Sequence, residues 1–159
     1  MIKVKIIIIL LFSVLTTVSL AQCKYSKNEI DKFTGIEKVE TNLELLHKDF
    51  NSTVSFNFCK YDSLYFIKVG LNLTDKVYSI MEGGKLMLVC GETILSLTST
   101  ETRVIKDFVY INYKLKKEEL SIINKHIISN IRIYLRDTYI EKEITLKRAE
   151  KILKLSNCI

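Results

Sequence analysis

Alternation of apolar and polar side chains is the feature of this sequence that most constrains its fold. In the segment 53–58, every second residue is apolar, namely Val54, Phe56 and Phe58, and the longer segment 64–73 repeats the pattern. Because successive side chains of a strand point to opposite faces, a period of two residues predicts half-buried β-strands. The centre of the chain is therefore expected to form a β-sheet.

Further alternating segments and turn residues extend this prediction. We expect a first strand near 37–46, after an irregular lead-in over 22–35. Gly70 marks a point where a long strand is expected to bend. The adjacent glycines Gly83 and Gly84 separate two apolar runs and accept the positive φ of a hairpin turn. The remaining strands are expected at 77–81, 85–89, 93–97, 104–114, 131–136 and 139–144, with turns at 60–63, 91–92 and 137–138 and a polar connection over 98–102.

Helical spacing appears only in the last third of the chain. Glu118 and Glu119 are placed for a first helical turn, where acids complement the helix dipole, and they predict a short helix near 116–127. Thr145 is a suitable N-cap for a second helix near 145–155. Strands followed by helices, without βαβ alternation, predict an α+β fold with a largely antiparallel, curved sheet of about 7–9 strands.

The first residues have the three-part pattern of a secretory signal peptide. A basic start with Lys3 and Lys5 precedes an apolar run, and the small residues Ser19 and Ala21 suit signal peptidase. We expect cleavage after Ala21, so that segment 1–21 is a signal peptide. Residues 22–159 then form a single β-rich domain, in the periplasm or outside the cell, which meets the membrane only transiently through its leader.

Two other interpretations of the leader stay open. The first is an uncleaved membrane anchor, although its apolar run is shorter than the ~20 residues that span a bilayer. The second is a lipoprotein signal that directs acylation of Cys23, although the preceding residue should then be small, and Gln22 is not.

Four cysteines, Cys23, Cys59, Cys90 and Cys158, would enter an oxidising compartment on export. An even number favours disulfides, and four cysteines allow three complete pairings that spacing alone does not resolve. We favour Cys23 with Cys158, because chain termini often lie close together. Cys59 and Cys90 would then form a second bridge or remain as two buried thiols.

The sequence contains no established catalytic or metal-binding signature. H-E-x-x-H, G-x-S-x-G and C-x-x-C are absent, and having only His47 and His126 excludes a His-rich metal site. No metal or other cofactor is therefore expected. A small hydrolase stays open as an alternative, acting through carboxylates such as Glu141 and Glu143, or through one histidine and a cysteine outside the terminal pair.

Arg132, Tyr134 and Arg136 alternate along one predicted strand and form the strongest candidate for a binding site. Guanidinium groups grip phosphate or carboxylate through paired hydrogen bonds, and a tyrosine ring stacks on a sugar or base. Across the predicted hairpin, Glu141 and Glu143 are placed to neutralise the arginines. The same residues therefore also fit an ordinary solvated sheet face.

Basic residues crowd the polar side of the last predicted helix, at Lys147, Arg148, Lys151 and Lys154. Such a helix either packs on its own sheet, which we favour, or lies on an anionic membrane. The formal net charge of +6 becomes +4 without the leader, which carries two lysines and no acid. Solubility alone explains a charge of this size, and nucleic acid is not expected as a partner.

Four short segments of the chain resemble a family of small, uncharacterised secreted proteins from Bacteroidota. They are NEIDKFTG (28–35), KLML (85–88), IRIY (131–134) and YIEKEI (139–144). The resemblance covers most of the chain after the leader, and its motifs are turn and strand patterns. It implies a location in the bacterial envelope or secretome, without a catalytic activity to carry over. Cys90 departs from the pattern, at a position where another residue is expected.

Together these patterns predict an exported, non-catalytic domain that binds a protein partner or an envelope component. The binding surface would be a strand face or a groove between sheet and helices. The hydrolase described above is one alternative, and a carrier whose curved sheet encloses an apolar ligand is another. A cleft holding a carboxylate or thiol with a perturbed pKa would favour the enzyme, and a dry cavity would favour the carrier.

Overall fold

The computed structural model describes residues 23–48, 52–73 and 83–159. The predicted signal peptide 1–21 and the predicted strand 77–81 lie outside these ranges, in which ten strands and two helices occur. The strands are β1 (Tyr25–Ile30), β2 (Glu37–Thr41), β3 (Glu44–Lys48), β4 (Ser52–Tyr61), β5 (Leu64–Leu73), β6 (Lys85–Cys90), β7 (Thr93–Ile105), β8 (Phe108–Leu115), β9 (Ile128–Tyr134) and β10 (Tyr139–Glu143). The helices are α1 (Lys117–Ile123) and α2 (Leu146–Ser156).

The ten described strands form one antiparallel sheet in the order β1-β2-β4-β5-β8-β7-β6-β9-β10, with β3 also paired to β4. Strand β7 joins the two halves of the sheet, because its first part pairs with β6 and its second part pairs with β8. The register shifts between Ser99 and Glu101, where β7 passes from one partner to the other. The predicted α+β class is confirmed, but the sheet has more strands than the 7–9 expected.

One additional strand comes from a polar segment that lacks an alternating signal, and another comes from the division of a predicted strand. The predicted lead-in over 22–35 is wrong, because it contains β1, a largely exposed edge strand. A turn organised by the Asp31 carboxylate, which accepts hydrogen bonds from the backbone N–H groups of Phe33 and Thr34, connects β1 to β2. The predicted strand 37–46 is divided into β2 and β3 at residues 42–43.

The β7–β8 hairpin also differs from the prediction. The stretch 98–102 continues β7 rather than forming a polar connection, and the chain turns at Lys106 and Asp107, inside the predicted strand 104–114. Lys106 has a φ of 54°, in the left-handed region that ordinarily favours glycine, so its sequence gives no turn signal.

Smaller corrections concern element ends. The predicted turn 60–63 is confined to Asp62 and Ser63, and β4 continues through Tyr61. The helix predicted near 116–127 ends at Ile123, and β9 ends at Tyr134 rather than residue 136. The helix predicted near 145–155 is α2, with Thr145 as its N-cap residue.

One continuous hydrophobic core lies between the two halves of the sheet and the helices. The predicted inward faces are confirmed, because Val54, Phe56 and Phe58 are buried on β4 and Ile67 and Val69 on β5. The other half of the sheet and the helices contribute Leu86, Leu88, Ile131, Ile133, Ala149 and Ile152. The opposite face of β4, β5 and β8 is consequently free to carry polar side chains.

A disulfide joins Cys23 to Cys158, as predicted, and ties the start of the described chain to the end of α2. Cys59 and Cys90 are buried free thiols, which was one of the two alternatives for this pair. Because disulfides are rare in reducing compartments, the bridge is compatible with an exported protein.

Candidate binding groove

A groove crosses the face of the sheet that points away from the core. It has a volume of about 510 Å³ and receives side chains from the six neighbouring strands β1, β2, β4, β5, β8 and β7. This polar groove is lined by Lys27, Lys38, Glu40, Tyr61, Lys68, Glu101, Arg103, Ile105, Tyr110 and Asn112. Its size lies within the ~300–1,000 Å³ of small-ligand sites.

Cross-strand register brings polar residues from distant parts of the chain into one row. Asn57 on β4 faces Lys68 on β5, Lys68 faces Asn112 on β8, and Asn112 faces Glu101 on β7. Directly opposed residues of antiparallel strands project to the same face, so these four side chains lie on the groove side of the sheet. The neighbours of Asn57, Lys68 and Asn112 along their strands are buried in the core.

The Glu40 carboxylate is the centre of one hydrogen-bonded cluster in the groove. It accepts a hydrogen bond from the Tyr61 hydroxyl at 2.5 Å and from the Lys68 ammonium at 3.0 Å. Partial burial by itself would raise the pKa of Glu40, but the hydrogen bonds from Tyr61 and Lys68 outweigh it and hold this pKa below its ordinary value. Glu40 is therefore ionised at neutral pH.

Glu101 is the centre of a second cluster, on the far side of the groove. Its carboxylate pairs with Arg103 Nε at 2.6 Å and accepts a hydrogen bond from Asn112 Nδ2 at 2.9 Å. The guanidinium of Arg103 lowers the pKa of Glu101 despite some desolvation. This carboxylate is also ionised at neutral pH.

Gly70 leaves space for an aromatic ring between the two clusters. A Cβ at this position would lie 2.5 Å from Ser55 Oγ and 3.3 Å from Tyr110 Cε1, so only glycine fits without displacement of a neighbour. The ring of the half-buried Tyr110 packs there and stacks on Phe108, with ring centroids 6.2 Å apart and an interplanar angle of 18°. The groove thus contains an aromatic surface as well as charged groups.

The two free thiols are not arranged as nucleophiles. Burial raises the pKa of Cys59 to about 11, with smaller effects from nearby Lys68 and Glu40, and burial alone raises the pKa of Cys90 to about 11. A nucleophilic cysteine needs a lowered pKa and access to solvent. The burial of both thiols and their raised pKa values therefore give no support to the Cys–His pair considered from the sequence.

The residues predicted as a binding site lie at the other end of the sheet, on the β9–β10 hairpin. Arg132 Nη2 pairs with Glu141 at 2.6 Å, Arg132 Nη1 donates to the Tyr134 hydroxyl at 3.3 Å, and the guanidinium lies 4.8 Å from the centre of the Tyr139 ring. The hydrogen bonds with Tyr134 and Glu141 raise the pKa of Arg132. Arg136 is exposed beyond the end of β9.

The guanidinium of Arg132 is therefore engaged in contacts with neighbouring residues of the β9–β10 hairpin. The Glu141 partner that the sequence placed across the hairpin neutralises it, and Glu143 is exposed one step further along the same face. The structure brings Arg132 and Tyr134 together but does not place them in the polar groove, and the role of Arg132, Tyr134 and Arg136 in binding stays a prediction.

The basic side of α2 makes contacts with the sheet rather than standing apart from it. Arg148 donates to the backbone carbonyl of Leu46 on β3, and Lys151 pairs with Glu44 on the same strand at 3.1 Å. On α1, the Glu119 carboxylate accepts a hydrogen bond from the Lys116 backbone N–H. These charged residues fix helix positions, in line with the packing role favoured from the sequence.

Within the three described ranges, no three His, Cys, Asp or Glu side chains are grouped so that they could hold a metal ion. Across those same residues, no helix has both the length and the apolar character needed to cross a bilayer.

Comparison with known protein families, with curated proteins and with solved structures finds no match to the chain.

Most groove residues were not identified from the sequence. The outward face of β5, with Lys68 and Gly70, follows from its alternation, and Tyr110 and Asn112 alternate in the same way on β8. Glu40 and Glu101 carry no such signal, because their positions depend on which strands pair. The only sequence signal for the groove was the polar residues at alternate positions of the central strands β5 and β8.

Proposed function

We propose that this protein is an exported, non-catalytic domain that binds a polar ligand or an envelope component in the polar groove. The observation that carries the proposal is the convergence of two ionised, hydrogen-bonded carboxylates, Glu40 and Glu101, with an aromatic ring in one concavity. A small number of fixed polar groups around such a concavity is typical of ligand sites.

The state of the carboxylates favours binding over catalysis. A general acid needs a carboxyl group whose pKa is raised toward the working pH, as in glycoside hydrolysis. Glu40 and Glu101 instead have lowered pKa values, because hydrogen bonds from Tyr61 and Lys68 stabilise the charged form of Glu40 and Arg103 stabilises that of Glu101. The hydrolase alternative therefore lacks a suitable proton donor among these residues.

The composition of the groove also argues against a carrier of apolar ligands. Its lining includes four cationic and two anionic side chains, which an apolar molecule would have to desolvate without compensation. The apolar side chains of both sheet halves are packed together in the core. A polar ligand is the better match.

Export is the second part of the proposal. The N-terminal segment has the pattern of a signal peptide, and the Cys23–Cys158 disulfide suits an oxidising compartment. The resemblance to small secreted proteins of Bacteroidota points to the bacterial periplasm or exterior, with cleavage near Ala21.

Amide NMR spectra of the exported form provide the test. The spectra would be recorded with maltotriose, cellotriose, chitotriose, trigalacturonate and trialanine as probes. We expect at least one probe to shift the signals of Lys68 and Asn112, and Arg103→Ala to weaken its binding. Arg103 is suitable because its side chain is 69% exposed, so its removal should not affect folding.

Arg136→Ala is the matched control, because Arg136 is also an exposed arginine but lies on the β9–β10 side of the sheet. It should leave binding unchanged. The proposal is wrong if no probe shifts the groove signals, or if the shifts map to Arg132, Tyr134 and Arg136.

A further inference from the structure

We infer that the ligand of the polar groove is uncharged and rich in hydroxyl groups, that is, a neutral oligosaccharide. The inference rests on the proposed function and adds the chemical class of the ligand. It depends on the charge balance of the groove, on its remaining hydrogen-bonding capacity and on its aromatic surface.

Ion pairs neutralise all four cations of the groove, two of them with carboxylates of its lining and two with the neighbouring Glu29 and Asp31. Each of its four cations has a carboxylate partner: Lys27 with Glu29 at 3.3 Å, Lys38 with Asp31 at 2.8 Å, Lys68 with Glu40 at 3.0 Å, and Arg103 with Glu101 at 2.6 Å. An anionic ligand would have to compete with these carboxylates for the cations, and a cationic ligand would compete with the cations. A neutral ligand leaves all four pairs intact.

The paired groups retain donors and acceptors for such a ligand. Arg103 contacts Glu101 through Nε, which leaves the two terminal NH₂ groups of its guanidinium for another partner. A lysine ammonium has three donors, and the contact of Lys68 with Glu40 uses one. Sugar hydroxyls donate and accept at once, so they match a surface on which both kinds of group lie side by side.

The aromatic surface suits the apolar face of a sugar ring. Tyr110 packs over Gly70, and its stacking on Phe108 holds the ring in place. A pyranose ring has hydroxyl groups around its edge and C–H groups on its faces. The cross-strand row next to Tyr110 contains Lys68, Asn112 and Glu101, so a ring stacked on Tyr110 would direct its edge toward these polar groups.

An extended peptide is a poorer match for the same surface. Peptides that bind sheets do so at exposed edges, where unpaired backbone groups complete a new ladder. Between the outer strands β1 and β7, the floor of the groove is formed by β2, β4, β5 and β8, whose backbones are paired on both sides within the sheet. The groove accordingly offers a ligand side-chain groups, which hydroxyl groups can use.

Isothermal titration calorimetry of the exported form tests the ligand class. The neutral probes are maltotriose, cellotriose and chitotriose, and the charged probes are trigalacturonate and trilysine. We expect at least one neutral probe to bind, with an affinity that changes less than about twofold between low and high salt, because no net charge is neutralised. Tyr110→Leu should weaken this binding by about tenfold, in line with the loss of a stacking contact.

Tyr139→Leu is the control, since it removes an exposed tyrosine from the other side of the sheet. Glu101→Gln provides a second groove variant should Tyr110→Leu fail to fold. Binding of only a charged probe at the groove would overturn the inference and leave the proposed function standing. Absence of groove binding by every probe would overturn both.

Discussion

Tyr110 lies directly opposite Gly70 in the β5–β8 ladder, and its ring occupies the space that a side chain at Gly70 would need. Ser55, opposite Gly70 on β4, donates a hydrogen bond from its hydroxyl to the Gly70 carbonyl at 3.1 Å. Three strands therefore meet closely at one glycine beneath the groove. The position of the aromatic surface depends on this contact.

Gly70→Ala should destabilise the fold by about 1–3 kcal/mol, because the added methyl group overlaps Ser55 Oγ and presses on the Tyr110 ring. Urea denaturation followed by circular dichroism would measure the change. Adding Ser55→Ala should recover part of the loss, since it removes the closest obstructing atom. Equal stability of Gly70→Ala and wild type would contradict the packing described here.

Removal of the Cys23–Cys158 disulfide should destabilise the protein by about 2–4 kcal/mol, because the bridge closes a loop with a sequence separation of 135 residues. A Cys23→Ser, Cys158→Ser double variant, compared with wild type in urea, would show the loss. Addition of dithiothreitol should lower the stability of wild type toward that of the variant. No effect of reductant on wild type would indicate that the bridge is not formed.

The thiols of Cys59 and Cys90 should be unreactive in the native protein at pH 8. Both side chains are buried, and burial raises both pKa values to about 11, so the thiolate is scarce and shielded. Labelling with a chromogenic disulfide reagent should give no signal until denaturant is added, and two thiols per chain afterwards. Rapid labelling of either cysteine in the folded state would show an accessible, activated thiol.

Glu40 should make the fold more stable at neutral pH than at acid pH. Its folded-state pKa lies below the ordinary value of 4.5, so its contribution is fully present above that pH and is lost as the pH falls through the folded-state pKa. Glu40→Gln should cost about 1–2 kcal/mol at pH 7. The difference from wild type should shrink as the pH falls below 4.5 and through the folded-state pKa, where wild type loses the same charge.

Urea denaturation of both proteins at several pH values is the measurement. Glu143→Gln is a control, because Glu143 is exposed at the edge of the sheet. A difference between wild type and Glu40→Gln that stays constant with pH would show that ionisation of Glu40 does not stabilise the fold.

The sequence predicted the strands that are buried on one face. Val54, Phe56, Phe58, Ile67 and Val69 are apolar at every second position, and they lie in the core as expected. This signal has a physical cause, because burial in the core favours apolar side chains on one face of a strand and places no such constraint on the other face. The fold class and helix α2 followed from the same kind of pattern.

Elements that are stabilised mainly by hydrogen bonds were not predictable in this way. Strand β1 is an exposed edge, held to β2 by backbone pairing and by the Asp31 turn. The β7–β8 hairpin turns at Lys106, whose positive φ is set by strand pairing and not by a residue that prefers it. Neither strand β1 nor the turn at Lys106 is marked by a periodic pattern of hydrophobic residues in the sequence.

The groove could be predicted only in part, for a related reason. Alternation places Lys68 and Asn112 on the outer face of their strands. It does not indicate that β5 lies next to β8, or that Glu40 and Glu101 reach the same concavity from β2 and β7. Arg132, Tyr134 and Arg136 stood out because they are clustered in sequence, whereas the groove residues are clustered only in space.

Paramagnetic relaxation by a spin-labelled neutral trisaccharide is the most direct test of the claim that the polar groove binds such a ligand. The label should broaden the amide signals of Lys68, Tyr110 and Asn112 and leave those of Arg132 and Tyr134 sharp, and an excess of unlabelled trisaccharide should reverse the broadening. Uniform broadening over the surface, or broadening centred on Arg132 and Tyr134, would contradict the account.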